Sequence, residues 1–418
     1  MRQAGDPTVA IAQKIGPGLL FAATAVGVSH LVQSTRAGAN FGLSMAVLII
    51  LACAVKYPAF RFGAEYAAAA KESIIVAYER QGRWLLVFFL IAIAVEGLAV
   101  IPAVSLVAAG MTMNFLGFQA NEVLVTMAIV AVASVGLAFG RYRLLENLSK
   151  VFVVLFAVLT VVATAAALGA LGDGRAIALP IAMTRENLFF SVAVAGWMPV
   201  GMGGAVFLSL WVRAKSEALG RPVGVDEARF DFDVGYVATV VLALCFLLIG
   251  TALLLGQGID FSESSVAFAA QLSTLFTESV GNWVKPVIGV TALAVMFSTV
   301  LAVIDGFPRV YANVTSRLLS RTAGLSEDRL YLPFMIFQAV VALCLLSLFL
   351  SSFGVFIDFS TTAGFVTAPV IAFLNHRVIS SASVAVEHRP PAWLKAWSAL
   401  GIAVLSGASA AYLYFRFA

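Results

Sequence analysis

Apolar residues in this chain gather into long blocks separated by short polar stretches. The blocks run roughly 18 to 28 residues, and about 20 apolar residues carry a helix across roughly 30 Å of hydrocarbon. Eleven can be marked, at residues 15–38, 43–68, 84–112, 122–139, 145–170, 187–212, 234–257, 285–305, 331–350, 353–376 and 395–416. Strands of a membrane barrel would alternate in polarity over about ten residues. These blocks do not, so the pattern predicts spanning helices. The first block is too long for a signal-peptide core and lacks a small-residue cleavage site, so the N-terminus is expected to stay on the chain. The stretch 258–280 is polar and amphipathic and predicts an external loop with a surface helix, and 213–233 predicts a charged cytoplasmic loop.

Two blocks are interrupted. The first carries Gly27 amid Thr24, Ser29, His30 and Gln33, and the sixth carries Pro199, Gly201, Gly203 and Gly204 in mid-span. Proline removes a backbone hydrogen bond and glycine loosens the helix, so both segments are predicted to unwind near the bilayer centre and to leave backbone groups free to meet a solute. Five helices, five more and one appended fit an inverted repeat, because an odd-numbered unit reverses its topology when duplicated. The repeats would be 15–170 and 187–376, with 395–416 added, in a single membrane domain over 1–418. Broken helices at corresponding positions point to a transport site; taken singly, such glycines serve close packing.

Ionisable groups inside a membrane are costly and are functional candidates. His30 lies in the first break, where it is either a site residue or a neutral imidazole satisfied by a nearby carbonyl. Glu96, beside Gly97 in the third block, is a relay candidate or a packing residue. Asp305, placed at the inner end of the eighth block, is a relay candidate or the partner of Arg309. Asp358 with Ser360, Thr361 and Thr362 forms a polar cluster in the tenth block, where hydroxyls also commonly bond back to their own helix.

Composition agrees: 61% of residues are hydrophobic and 11% charged, against about 25% charged in soluble proteins. Of the 26 lysines and arginines, all but Arg36, Arg175, Arg185, Lys285 and Arg416 fall on one side if the N-terminus is cytoplasmic. The positive-inside rule then predicts a multi-pass inner-membrane protein with its N-terminus inside and C-terminus outside. Cys53, Cys245 and Cys344 all lie in apolar blocks and read as small hydrophobes. No basic patch with interleaved aromatics suggests nucleic acid. There is no H-E-x-x-H, no G-x-S-x-G with distributed partners and no G-x-x-x-x-G-K-[ST], so neither an enzyme, a cofactor nor an ATP-driven pump is predicted. Energy is expected from a gradient, with a proton or sodium ion as the coupling partner.

The run Gly16-Pro17-Gly18-Leu19-Leu20, followed past the break by Ala37-Gly38-Ala39-Asn40-Phe41-Gly42, resembles the first helix of the Nramp family of divalent metal-ion transporters. Met198-Pro199 resembles that family's Met-Pro-His element. The resemblance implies an all-α LeuT-type fold of the APC superfamily, a 5+5 inverted repeat with eleven transmembrane helices, the first and sixth broken around a midplane site that opens to either side in alternation. Where the family has Asp-Pro-Gly-Asn this chain reads Gly27-Val28-Ser29-His30, and Val200 stands where the family has its histidine; the third block reads Ala99 to Val104 where the family has acidic proton-route residues. A hard divalent ion wants oxygen ligands, usually a carboxylate among them. The sequence thus predicts an Nramp-related secondary transporter of a small solute or ion with a rebuilt site, lined by Thr24, Gly27, Val28, Ser29, His30, Gln33, Trp197, Met198, Val200 and Gly201. Glu96, Asp305, Asp358 and Thr361 are coupling candidates. The alternatives are a metal transporter using His30 and Met198, and a channel or non-transporting sensor on the same scaffold.

Overall fold

The computed structural model of the chain describes residues 15–169, 177–182, 184–256, 265–281, 285–323, 325–349 and 353–418. Its helices are α1 (Pro17–Ala25), α2 (Ser29–Phe41), α3 (Ser44–Ala70), α4 (Ile74–Gln81), α5 (Arg83–Leu116), α6 (Glu122–Gly169), α7 (Arg185–Gly196), α8 (Gly203–Leu219), α9 (Val225–Leu254), α10 (Ser265–Val280), α11 (Lys285–Ala323), α12 (Glu327–Phe349), α13 (Phe353–Ile379) and α14 (Ala392–Phe417). Among the described residues nine spans are long and apolar enough to cross a membrane, and the pair α1 and α2, bent by 47°, makes a tenth. The pair α7 and α8, whose members have 12 and 17 residues, completes eleven. This is a multi-pass membrane protein.

Burial sorts the helices into centre and rim. The α11 span Ala292–Leu319 is 78% buried and the α9 span 61%, whereas the spans of α12 and α14 are each 22% buried. Apolar side chains such as Val132, Phe337 and Leu400 face outward, as a helix bathed in hydrocarbon requires. Helix α6, at 48 residues, carries two spans, Glu122–Phe139 and Glu146–Gly169.

Helices approach closely where glycine removes the side chain. A methyl group on Gly18 would overlap the Asp231 carbonyl of α9, and one on Gly235 of α9 would overlap the Gly18 carbonyl. The reciprocal contact seats α1 directly on α9.

Three expectations need correction. Residues 213–233 are not a loop: α8 continues to Leu219, the chain turns over Gly220 at φ +64°, and α9 starts at Val225 with Asp226 and Glu227 in its first turn. Charge misled there, because acidic residues at a helix N-terminus are stabilised by the helix dipole. The eighth span does not stop at residue 305, since α11 runs on through Pro308 to Ala323. Lys56, counted among the loop charges, sits inside α3 with no exposed surface. The stretch 258–280 does contain a helix, α10, and it packs Phe268 and Ala269 into the bundle; residues 257–264 lie outside the described residues.

Candidate functional site

Both predicted interruptions are present. Between α1 and α2 the α-helical pattern lapses at Val26 and Gly27, and α2 restarts as a π-helix over Ser29–Ser34. Gly27 lies against Thr299 of α11, where a methyl group would come within 2.8 Å of Thr299 Cγ2. Between α7 and α8 the segment 197–202 is non-helical and includes a cis Met198–Pro199 bond.

A narrow cavity of about 30 Å³ lies between the two breaks, room for a guest the size of water. Its walls are Thr24, Val28 and Ser29 from the first break, Trp197, Val200 and Gly201 from the second with Gly204 and Phe207 of α8, Glu96, Val100 and Val104 of α5, and Val303 and Phe307 of α11. Valines and aromatics dominate. Thr24 Oγ1 donates to the Leu20 carbonyl at 2.6 Å. Two polar atoms of these wall residues are buried without a hydrogen-bond partner, Glu96 Oε2 and Trp197 Nε1, the latter lying against Gly364 of α13.

The helix ends at the breaks are satisfied by the chain's own groups, against the expectation that they stay free. Thr299 Oγ1 donates to the Ala23 carbonyl at 2.6 Å, and Ser29 Oγ donates to the Ala25 carbonyl. Lys56 Nζ donates to the carbonyls of Ala195 and Gly196, the last two residues of α7, at 2.7 Å each. At the start of α8, the Glu96 carboxylate lies against Gly203 and is attracted electrostatically to Lys56. Gly201 leaves the space for that carboxylate, because a methyl there would overlap Glu96 Oε1.

The remaining sequence candidates lie beside this cavity. His30 is fully buried and turns to α9: Nε2 is 2.8 Å from the Thr239 carbonyl oxygen and Nδ1 2.8 Å from Ser29 Oγ. A carbonyl only accepts, so Nε2 carries the proton, and the Ser29 hydroxyl has one hydrogen for three acceptors, His30 Nδ1 and the carbonyls of Ala25 and Pro199. Met198 is buried with its sulfur 3.9 Å from Ser34 Oγ. Neither belongs to the cavity wall, and among the described residues no three His, Cys, Asp or Glu side chains gather as metal ligands. Gln33 and Arg36 both reach Asp358 Oδ1, at 3.0 and 3.1 Å, with Arg36 stacked 5.1 Å over Phe190. Thr361 Oγ1 bonds back to the Asp358 carbonyl at 3.0 Å.

Asp305 lies inside α11 and is wholly buried. It accepts from Arg309 at 2.6 and 3.1 Å, Trp211 Nε1 at 3.1 Å and Tyr331 at 2.9 Å, which locks α8, α11 and α12 together. The far end of α1 is held by Asp231 of α9, whose carboxylate accepts from Gly16 N at 2.9 Å and Gly18 N at 3.0 Å. Sequence reading passed over Lys56 and Asp231. Lys56 has a usable signal in the sequence, an ionisable residue well inside an apolar block.

No protein-family model matches the chain. Over 399 residues it is 34% identical to uncharacterized protein PM0681 of Pasteurella multocida (strain Pm70), covering 94% of this chain and 90% of that one. Among solved structures it is similar to the Eremococcus coleocola manganese transporter in complex with an aromatic bis-isothiourea substituted compound, with TM-score 0.72, 13% identity, and 98% of this chain and 87% of that one covered. It is also similar to MhsT in complex with L-phenylalanine, with TM-score 0.64, 13% identity and coverages of 98% and 99%. Mhp1, a nucleobase-cation-symport-1 family transporter with bromovinylhydantoin bound, gives TM-score 0.59, 18% identity and coverages of 99% and 94%. At these identities the likenesses establish the architecture, the LeuT-type fold.

Proposed function

The chain belongs to the family of uncharacterized protein PM0681 of Pasteurella multocida, and from that premise we propose that it is a secondary transporter, an Nramp-related branch with a rebuilt site, moving a small solute across the inner membrane by alternating access. The observation that carries this reading is the cavity walled by both helix breaks, with Glu96 Oε2 unpartnered beside it. Buried polar atoms are nearly always paired, and Glu96 Oε2, unpartnered beside an internal cavity between two helix breaks, is the atom a ligand would be drawn to. Valine and phenylalanine walls with one acceptor suit a small, mainly apolar solute that offers a hydrogen-bond donor to Glu96.

Alternation has two closures to exchange. One is Asp231 on the amides of Gly16 and Gly18, on the side the positive-inside reading makes cytoplasmic. The other is the Gln33, Arg36 and Asp358 cluster at the opposite end of the first span. Hydrogen bonds to charged groups are worth about 1.5–3 kcal/mol each, and a two-state equilibrium with a gap of a few kcal/mol is what a ligand can shift. Releasing one closure while keeping the other opens the cavity to one side.

The test needs no known substrate. Ser29→Cys, in a background with Cys53, Cys245 and Cys344 replaced, should react with an impermeant thiol reagent from either face of a proteoliposome, and cross-linking either closure should abolish reaction from that face alone. Reaction from both faces that no single cross-link removes would mean a channel; reaction from neither face under any condition would mean a non-transporting scaffold.

A second reading, a divalent-metal transporter using His30 and Met198, is favoured by the fold shared with a protein whose name states manganese transport. Saturable Mn²⁺ uptake lost in both His30→Ala and Met198→Ala would establish it, and it would displace the rebuilt-site reading.

A further inference from the structure

Lys56 is an unusual place to find a charge. It lies within the span Ser44–Ala70, has no exposed surface and does not reach back toward an aqueous face. A lysine at such depth costs several kcal/mol unless it is paired. Its ammonium is bound to the carbonyls of Ala195 and Gly196, the C-terminal end of α7, where the helix dipole concentrates about half a negative charge. Glu96 adds its electrostatic attraction. Two backbone carbonyls at an unwound helix end with a carboxylate nearby are the oxygen set that hard cations take, and carbonyl ends of split helices hold the driving cation in transporters of this architecture.

We propose that the Lys56 ammonium is a tethered cation occupying the negative end of α7, standing where an exchangeable ion would otherwise bind, and that removing it opens a monovalent-cation site there. The other carbonyls at the breaks reinforce this. Ala23 and Ala25 are taken by Thr299 and Ser29, so a cation entering the unsubstituted chain meets carbonyl ends already filled by donors of the protein itself. The helix end keeps its positive partner through every cycle, and sodium is not needed to hold α7 against α3.

The proposal rests on taking the α7–α8 break as the site, but its test reads binding through stability and does not depend on transport. The unfolding midpoint of the purified protein is measured in sodium chloride against choline chloride, for the unsubstituted chain, Lys56→Ala and Lys56→Gln, with ethylammonium chloride added to Lys56→Ala in a further series. The unsubstituted chain should be indifferent to sodium. Lys56→Ala should start lower and recover saturably with sodium, by on the order of 3 °C, and ethylammonium should restore it in place of the lost side chain. Lys56→Gln, which keeps much of the volume and so guards against simple misfolding, should show a smaller sodium response. Sodium stabilisation of the unsubstituted chain that saturates and exceeds that of choline overturns the proposal; so do folded Lys56 variants indifferent to both sodium and ethylammonium. If Lys56→Ala does not fold, the Gln variant and the unsubstituted chain decide in the same way. A chain that passes these tests yet shows no alternating thiol accessibility refutes the transporter reading and leaves the tethered cation standing.

Discussion

Gly201 and Glu96 compete for one volume, and the smallest side chain decides the contest. A methyl at residue 201 would overlap Glu96 Oε1, so Gly201→Ala should push the carboxylate from its seat against Gly203. Solute uptake should fall roughly tenfold or more, the factor that 1.4 kcal/mol represents, with the protein still folded; unaltered uptake would show that Glu96 does not need that seat. Asp305 belongs to a different class because all its partners are structural. Asp305→Ala would leave half-buried Arg309, Trp211 and Tyr331 without their common acceptor, a loss of about 1–3 kcal/mol visible as a lower unfolding midpoint, whereas a purely coupling role predicts normal stability and uncoupled transport. His30 lies between these cases. Its ring satisfies Thr239 and Ser29, so His30→Ala should cost about 1–3 kcal/mol of stability and change uptake less than Glu96→Gln does. The reverse order would return His30 to the binding site.

At the scale of elements, each closure ties a segment of the broken first span to a helix that does not break. Asp231→Ala should free the N-terminus of α1 from α9 and raise the reactivity of Ser29→Cys toward reagent on that face, while Asp358→Asn should do the same on the other. Equal reactivity in both variants from one face would mean that the two ties act on the same opening. The second break is legible where Pro199 stands among Gly201, Gly203 and Gly204 and the first where Gly27 stands among polar residues; proline alone marks no break, since Pro58, Pro102, Pro308 and Pro369 lie inside continuous helices. The interaction between broken segments is not legible. Which side chains cap the freed carbonyls depends on where α3 and α11 pass, and Lys56 and Thr299 are separated from those carbonyls by about 140 and 276 residues of chain. The stretch 213–233 failed for a local reason, its charges being read as solvated loop although they extend two helices past the apolar core.

At the scale of the whole molecule, mean composition and block length point to a helical membrane protein, and the resemblance carried by residues 16–20, residues 37–42 and Met198-Pro199 implies the LeuT-type arrangement that the structure has. The positive-inside count survives without Lys56, since Arg61, Lys71, Arg80 and Arg83 stay in the same region of the chain. The π-helix at Ser29–Ser34 has a consequence for descent. A π turn accommodates one residue more than the α-helix would, so losing any single codon in that run would let the backbone relax to the ordinary pitch. Residues beyond would keep their facing and Arg36 would stay on Asp358, whereas the same loss in the α-helical turns after Ser34 would swing all that follows by about 100° around the axis. A one-residue loss is thus absorbed within Ser29–Ser34 and nowhere else along α2.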